Sequence, residues 1–243
     1  MALWFEEWFD SSYYHILYKH RSIDEAKHFV QLLVNKMQAP PHASLLDLAC
    51  GKGRHALEFS AFDLDVTGVD LSANSIEIAK AYEKENLSFY THNMLHLFRI
   101  NYFDIIVNLF TSFGYFASKQ ENTNAAKAIY AGLKKDGIFI FDFVNQKHAI
   151  ANIENNPYEE ITRQDILFKI TRSHSENQYR KKIEIKDKDL ILEYNEKVNK
   201  LSFNEAISIF EGVGLKFVEA FGSYQLDDYN EETSNRMILF FKK

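Results

Sequence analysis

The sequence predicts an α/β fold: a Rossmann-like, doubly wound, mostly parallel seven-stranded sheet with helices on both faces, plus a small antiparallel β insertion. Three observations carry that prediction. Short apolar runs alternate with helical-period segments between residues 43 and 143, the pattern of a parallel sheet covered on both faces. A glycine turn, Gly51-Lys52-Gly53, follows the first apolar run and precedes the helical segment opening at Arg54. After Pro157 apolar residues alternate with polar ones at period two, as in antiparallel strands with one wet face.

The chain order divides into a helical lid or cap over 1–42, a core over 43–156 and 201–243, and the insertion over 157–200. A chain of 243 residues, 46% of them hydrophobic, has enough apolar side chains for one proper core. The net charge of −6 argues against a nucleic-acid partner, which needs a basic face. A single cysteine, Cys50, excludes an internal disulfide and fits a reducing compartment. The apolar start from Trp4 to Phe9 is broken by Glu6 and Glu7, so neither a leader nor a membrane span is expected there. These features predict a soluble, cytoplasmic monomer or homodimer with no membrane partner.

Taken in order, residues 3–20 are rich in aromatic residues and predict one amphipathic helix. Its rings pack on the domain, or form a lid in which Tyr14, Tyr18 and Arg21 close over a ligand and bind a carboxylate by charge-assisted hydrogen bonds, or do both from different faces of the one helix. Ser22 and Glu25 form a capping-box pattern, and Ala26, Phe29, Val30, Leu33 and Met37 keep helical spacing up to Pro40-Pro41. Strands are expected near 43–48, 65–70, 87–91, 103–109 and 137–143, and helices near 54–62, 73–85 and 119–134, the last capped by Ser118 and Glu121. In the insertion, Ile166, Phe168, Ile170, Ile183, Ile185, Leu190, Leu192 and Tyr194 alternate with mixed charges, which predicts a solvated face. A last helix opens at Ser202 with Glu205 and stops at Gly214, and strands near 215–222 and 236–242 flank a solubilising loop carrying Asp227, Asp228, Glu231 and Glu232.

The glycine turn is where chemistry is expected. Glycine takes positive φ and lets backbone approach a ligand closely, so strand, turn and helix N-terminus form a nucleotide-type site. Asp70 ends the next apolar run, where a carboxylate can accept both hydroxyls of a ribose. The loop Thr111–Phe116 after the fourth strand is expected to face a substrate through Phe113 and Tyr115. Phe143, Asn145 and His148 follow the fifth strand at the same sheet edge. His148 and Tyr14 are the candidate proton acceptors, with His55 behind them. Cys50 reads as the small residue that a tight turn needs. The histidines and the cysteine lack the spacing of a metal site, so no metal is expected.

Three segments together carry a resemblance: Asp47-Leu48-Ala49-Cys50-Gly51-Lys52-Gly53-Arg54-His55, Gly68-Val69-Asp70-Leu71-Ser72 and Phe103-Asp104-Ile105-Ile106-Val107-Asn108. The chain resembles the class I S-adenosylmethionine-dependent methyltransferases, and more narrowly the small bacterial members with an antiparallel insertion after the fifth strand. The resemblance implies S-adenosylmethionine as cofactor and S-adenosylhomocysteine as product. It implies that Asp47, Ala49, Gly51 and Gly53 surround the methionine and ribose, and that Asp70 takes the ribose hydroxyls. Leu71 would pack on the adenine beside Asn93 and Met94, where the family often has an acid before an apolar residue. An asparagine oxygen still accepts from an adenine amino group. Asn108, Leu109 and Phe110 would line the reactive side. On the lid reading of the N-terminal segment, Tyr14, Tyr18 and Arg21 would gate this cofactor.

The activity so implied is in-line methyl transfer to a small-molecule acceptor, in which the protein mainly aligns the nucleophile and excludes water. Two other readings stay open. Gly51-x-Gly53-x-x-Ala56 also satisfies a dinucleotide pattern, as in an NAD(P)-binding oxidoreductase. A non-catalytic S-adenosylmethionine-binding or interaction protein needs no further residue. Base methylation of nucleic acid is disfavoured, because Asn108-Leu109-Phe110-Thr111 lacks the Asn/Asp-Pro-Pro-aromatic signature.

Overall fold

A computed structural model describes residues 4–18 and 23–243. Arg21 and the Ser22 half of the first capping box lie outside the described residues. The aromatic start forms two short helices, α1 (Trp4–Asp10) and α2 (Ser12–Leu17), where one was expected. The break is at Ser11, whose extended backbone (φ −68°, ψ 138°) N-caps α2 while its hydroxyl accepts the Tyr13 N–H. Helix α3 (Ile23–Met37) then leads to β1 (Ser44–Leu48), α4 (Arg54–Phe59), β2 (Asp65–Asp70), α5 (Ala73–Ala79), β3 (Leu87–Thr91), β4 (Phe103–Asn108), α6 (Lys119–Gly132) and β5 (Leu133–Val144). Between α5 and β3 the expected long helix tightens into one 3₁₀ turn over Lys80–Tyr82.

Helix α7 (Gln146–Asn155) was not legible in the sequence; Ala149 is its one buried residue, so no apolar stripe marks it. Four strands follow, β6 (Tyr158–Arg163), β7 (Ile166–His174), β8 (Gln178–Asp187) and β9 (Leu190–Asn199), and they pair antiparallel in sequence order as a separate sheet. Helix α8 (Phe203–Glu211) and strands β10 (Lys216–Phe221) and β11 (Arg236–Lys242) return the chain to the main sheet. The capping boxes at Ser118/Glu121 and Ser202/Glu205 are both formed.

The main sheet has the order β10-β11-β5-β4-β1-β2-β3. β1 pairs in parallel with both β2 and β4, while β11 runs antiparallel to β5 and β10. The expected fold class is therefore the observed one. Because successive residues of a strand point to opposite faces, Leu45 packs with Phe29, Leu33 and Phe59 on one side. Its neighbour Leu46 packs with Ile129, Phe141 and Phe210 on the other. Both faces are buried, as a parallel sheet requires.

The described rings of the N-terminal helices, Trp8, Phe9, Tyr13, Tyr14 and Tyr18, pack away from this sheet. Trp8 and Leu17 join Ile166, Phe168, Ile170, Ile183 and Ile185 in a third cluster on one face of the four-stranded sheet. Among the described residues no helix is long and apolar enough to cross a membrane.

Candidate active site

The site is built at the C-terminal ends of β1, β2 and β4, where a doubly wound sheet leaves a crevice. After β1 the backbone turns through Ala49 (φ 65°), Gly51 (φ 56°) and Gly53 (φ 79°). A Cβ at Gly51 would meet nothing within 4 Å, so its left-handed conformation is what calls for glycine there. At Gly53, the N-cap of α4, a Cβ would stand 2.5 Å from the Phe89 ring, and this residue does not line the cavity. Cys50 is buried, and burial pushes its thiol well above the ordinary range, consistent with a structural role.

Asp70 closes β2 against this turn. Its Oδ2 accepts the Gly51 N–H and its Oδ1 the Ser72 N–H, each at 2.8 Å. Burial raises its pKa, and those two amides pull against the rise. The carboxylate is thus aimed into the cavity with its position set from both sides. A hydrogen bond from the Ser72 hydroxyl to Asp10 brings α1 to the same place.

Asp47 is only 2% exposed, and its Oδ2 has no hydrogen-bond partner among the described residues. Burial, and after it the charge of Asp70, pushes its pKa up to about 7. A buried carboxylate oxygen without a partner is a costly group that a cationic ligand would complete. Asn108 is also fully buried, but it stands behind the cavity: its Nδ2 donates to the Leu48 carbonyl at 2.8 Å and ties β4 to β1.

The turn after β4 places two successive non-glycine residues in the left-handed region, Phe110 (φ 61°) and Thr111 (φ 64°). Such residues cost about 1–3 kcal/mol each and persist only where their surroundings hold them. Here the Phe110 N–H donates to Asp142 Oδ2 at 2.8 Å, and Asp142 is fully buried on β5 in an ion pair with Arg236 at 2.6 Å. Phe110 also stacks on Tyr224, with centroids 5.2 Å apart, and carries the Arg54 guanidinium 4.7 Å from its own centroid.

The opposite wall comes from the cap and the four-stranded sheet. Glu196 of β9 accepts from Trp8 Nε1 at 2.5 Å and from the Tyr18 hydroxyl at 3.3 Å, and pairs with Lys181 of β8 at 3.0 Å. Lys181 also donates to the Tyr18 hydroxyl at 2.7 Å. Burial alone would pull the Lys181 pKa down, yet Glu196 and Tyr18 hold it above the ordinary lysine value. The expected solvated face exists on one side only, where Lys182 meets Glu193 at 3.0 Å. On the other side these strands carry ionisable groups into the site.

Together these walls enclose a cavity of about 910 Å³. It gathers Asp47, Ala49, Gly51, Asp70 and Leu71 with Asn93 and Met94, whose Asn93 Oδ1 already accepts the Leu95 N–H at 2.9 Å. Leu109, Phe110 and Tyr115 line it, as do Tyr14 and Tyr18 from the cap. Other expected residues are elsewhere. Phe113 and Phe143 are buried beside Phe141 in the core, because the aromatic side chains of this loop and strand alternate inward. Asn145 donates to the Glu231 and Ser234 carbonyls at 2.8 and 2.7 Å, so it anchors the acidic loop, which is more than a solubilising segment. His148 is exposed on α7 and does not line the cavity. Among the described residues no group of three or more His, Cys, Asp or Glu is arranged to hold a metal ion.

Sequence reasoning missed Lys181, Glu196, Tyr224 and Arg236. For the first two a signal was present. Lys181 continues the inward series of Ile183 and Ile185, and Glu196 continues that of Leu192 and Tyr194. An ionisable side chain at an apolar-face position asks for a partner.

A doubly wound sheet with a glycine turn, a strand-end carboxylate and a large adjoining cavity is the architecture of the class I methyltransferase fold. Residues 45–137 match the family model described as a methyltransferase domain. A provisionally named methyltransferase of Geobacillus sp. (strain WCH70) is 30% identical over 141 residues, covering 57% of this chain and 55% of that protein. The chain spans about half the length of the curated relatives it matches. Among solved structures, an S-adenosylmethionine-dependent methyltransferase from Clostridium acetobutylicum superposes with a TM-score of 0.77 at 16% identity, over 95% of each chain. The S-adenosylmethionine-bound structure of an amino pentose methyltransferase from Micromonospora echinaspora gives 0.67 at 16% identity, over 96% of this chain and 97% of the other. At these identities the likeness is one of fold.

Proposed function

We propose that this chain transfers the methyl group of S-adenosylmethionine to a small-molecule acceptor by in-line displacement. The observation that carries this reading is the orphaned Asp47 Oδ2, buried in one cavity with the Asp70 carboxylate and the Gly51 turn. When bound, the cofactor supplies a methyl group on a sulfonium that leaves readily. Asp47 offers the missing counter-charge to the cofactor's ammonium. Asp70 keeps free lone pairs for the ribose hydroxyls while its amide bonds fix its direction. Leu71, Asn93 and Met94 border the adenine end, and Leu109 and Phe110 the reacting end.

The acceptor would lie between Tyr14, Tyr115 and the wall made by Lys181, Glu196 and Asn199, which all line the same cavity. That wall is polar, and the amino sugar named for the Micromonospora relative is a small polar acceptor of this kind. Tyr14 lines the cavity, which supports it over His148, outside the cavity, as the group that would take a proton from the acceptor if the nucleophile must lose one. Closing the cap over the cavity would exclude water.

Calorimetric titration with S-adenosylmethionine, S-adenosylhomocysteine and NADH tests the reading on wild type and Asp70→Ala. Micromolar binding of the first two, weakened in the mutant by about 1.5–3 kcal/mol, is the expected result. Binding of NADH alone would turn the reading to an oxidoreductase. S-adenosylmethionine binding without methyl transfer to any amine, hydroxyl or carboxylate acceptor in a broad small-molecule screen would favour a non-catalytic binder.

A further inference from the structure

The left-handed pair Phe110-Thr111 contains no glycine, and threonine is β-branched, for which this conformation is an outlier. Its support comes from residues far along the chain. The Thr111 N–H donates to the Asp142 carbonyl at 3.0 Å, beside the Phe110 bond to the Asp142 carboxylate. Thr111 Oγ1 accepts twice, from the Val144 N–H at 3.2 Å and from Arg236 Nη2 at 3.1 Å. The same guanidinium reaches Asp142 Oδ1 through Nε at 2.8 Å. One planar fork therefore spans the carboxylate that holds Phe110 and the hydroxyl that belongs to Thr111.

This clamp is surplus to sheet pairing. β5 and β11 are already zipped in unbroken register from Arg236 opposite Val144 to Lys242 opposite Ile138. A fold staple would have no need to grip a strained turn, and Phe110, Thr111 and Arg236 all face the cavity.

We propose that Arg236 and Asp142 are positioning residues for methyl transfer, which hold the turn after β4 in its left-handed form and thereby set the wall at the reacting end of the cavity. The inference rests on the methyltransferase reading above. Arginine is specified because a lysine, a point charge without the fork, cannot satisfy Asp142 and Thr111 at once. The Asp70 end of the cavity belongs to other strands and does not depend on the clamp.

The test compares two ligands, S-adenosylmethionine, which reaches the turn, and adenosine, which occupies only the Asp70 end. Arg236→Lys and Thr111→Val are each expected to weaken S-adenosylmethionine at least tenfold while adenosine stays within twofold. The two together should be little worse than either, because they remove one interaction. Adding Thr111→Gly to Arg236→Lys should recover at least threefold, since glycine keeps positive φ without being held. A lowered melting midpoint with the affinity ratio of the two ligands unchanged, or no recovery by glycine, would overturn the proposal. Should Arg236→Lys fail to fold, Thr111→Val, which leaves the ion pair intact, decides on the same two ligands. A wild type that binds adenosine but not S-adenosylmethionine would sink the underlying reading, an outcome separate from any variant.

Discussion

Asp47, next to last in β1, and Asp70, last in the neighbouring parallel strand β2, look into one cavity, and burial, with the charge of Asp70 added to it, pushes the Asp47 pKa up to about 7. A buried carboxylate beside a half-buried one destabilises a protein unless something cationic arrives. A ligand with an ammonium group is such a thing.

Cofactor affinity should therefore depend on pH. Below about 7 Asp47 is neutral and offers no counter-charge; above it the carboxylate is present. The dissociation constant of S-adenosylmethionine is expected to tighten between pH 6 and pH 8, and Asp47→Asn to flatten that profile at the weaker level. Calorimetry at three pH values checks it.

The same group makes a prediction of opposite sign for the ligand-free protein. The folded-state pKa of Asp47 lies above its unfolded value near 3.8, so the folded chain holds a proton that the unfolded chain has shed. Stability is thus lost as pH rises from about 4 to about 7. Asp47→Asn should stabilise the ligand-free protein at pH 8, by on the order of 1–3 kcal/mol in urea unfolding. No gain at pH 8 over pH 5 would show that the site relaxes around the charge.

Lys181 and Glu196 should behave as a buried pair. Their side chains are 26% and 11% exposed, so removing one leaves the other charged and poorly solvated. Lys181→Ala is expected to cost roughly 2–4 kcal/mol, whereas Lys181→Met with Glu196→Leu should cost much less. Equal losses would mean that the pair contributes packing only.

Trp8 joins the cap to the four-stranded sheet. It is fully buried, so Trp8→Ala should lower stability by roughly 3–5 kcal/mol. The chain's two tryptophans, Trp4 and Trp8, both lie in α1, so intrinsic emission reports on the cap alone. S-adenosylmethionine is expected to change that emission. Deleting residues 1–21 should weaken its binding tenfold or more. Unchanged affinity would remove the cap from the cofactor site.

Local pattern by itself was enough for the sheet, the glycine turn and the strand-end carboxylate. Each depends on neighbours within a few residues: apolar alternation, positive φ at Gly51, an acid closing β2. Such features are legible because strand period and turn geometry act over that range. Two loop and strand-end aromatics, Phe113 and Phe143, were misread as site residues, since a run of aromatics does not say which rings turn inward.

Tertiary structure alone decided the far wall. The Arg236–Asp142 contact joins residues 94 positions apart, and the Trp8–Glu196 bond joins residues 188 apart. Whether a lysine or glutamate in an amphipathic strand faces water or a cavity depends on what packs over that strand. Here the cap covers one face of β6–β9 and leaves the other to solvent, so Lys181 and Glu196 become part of the site while Lys182, one residue along β8, and Glu193, three residues along β9, stay in water.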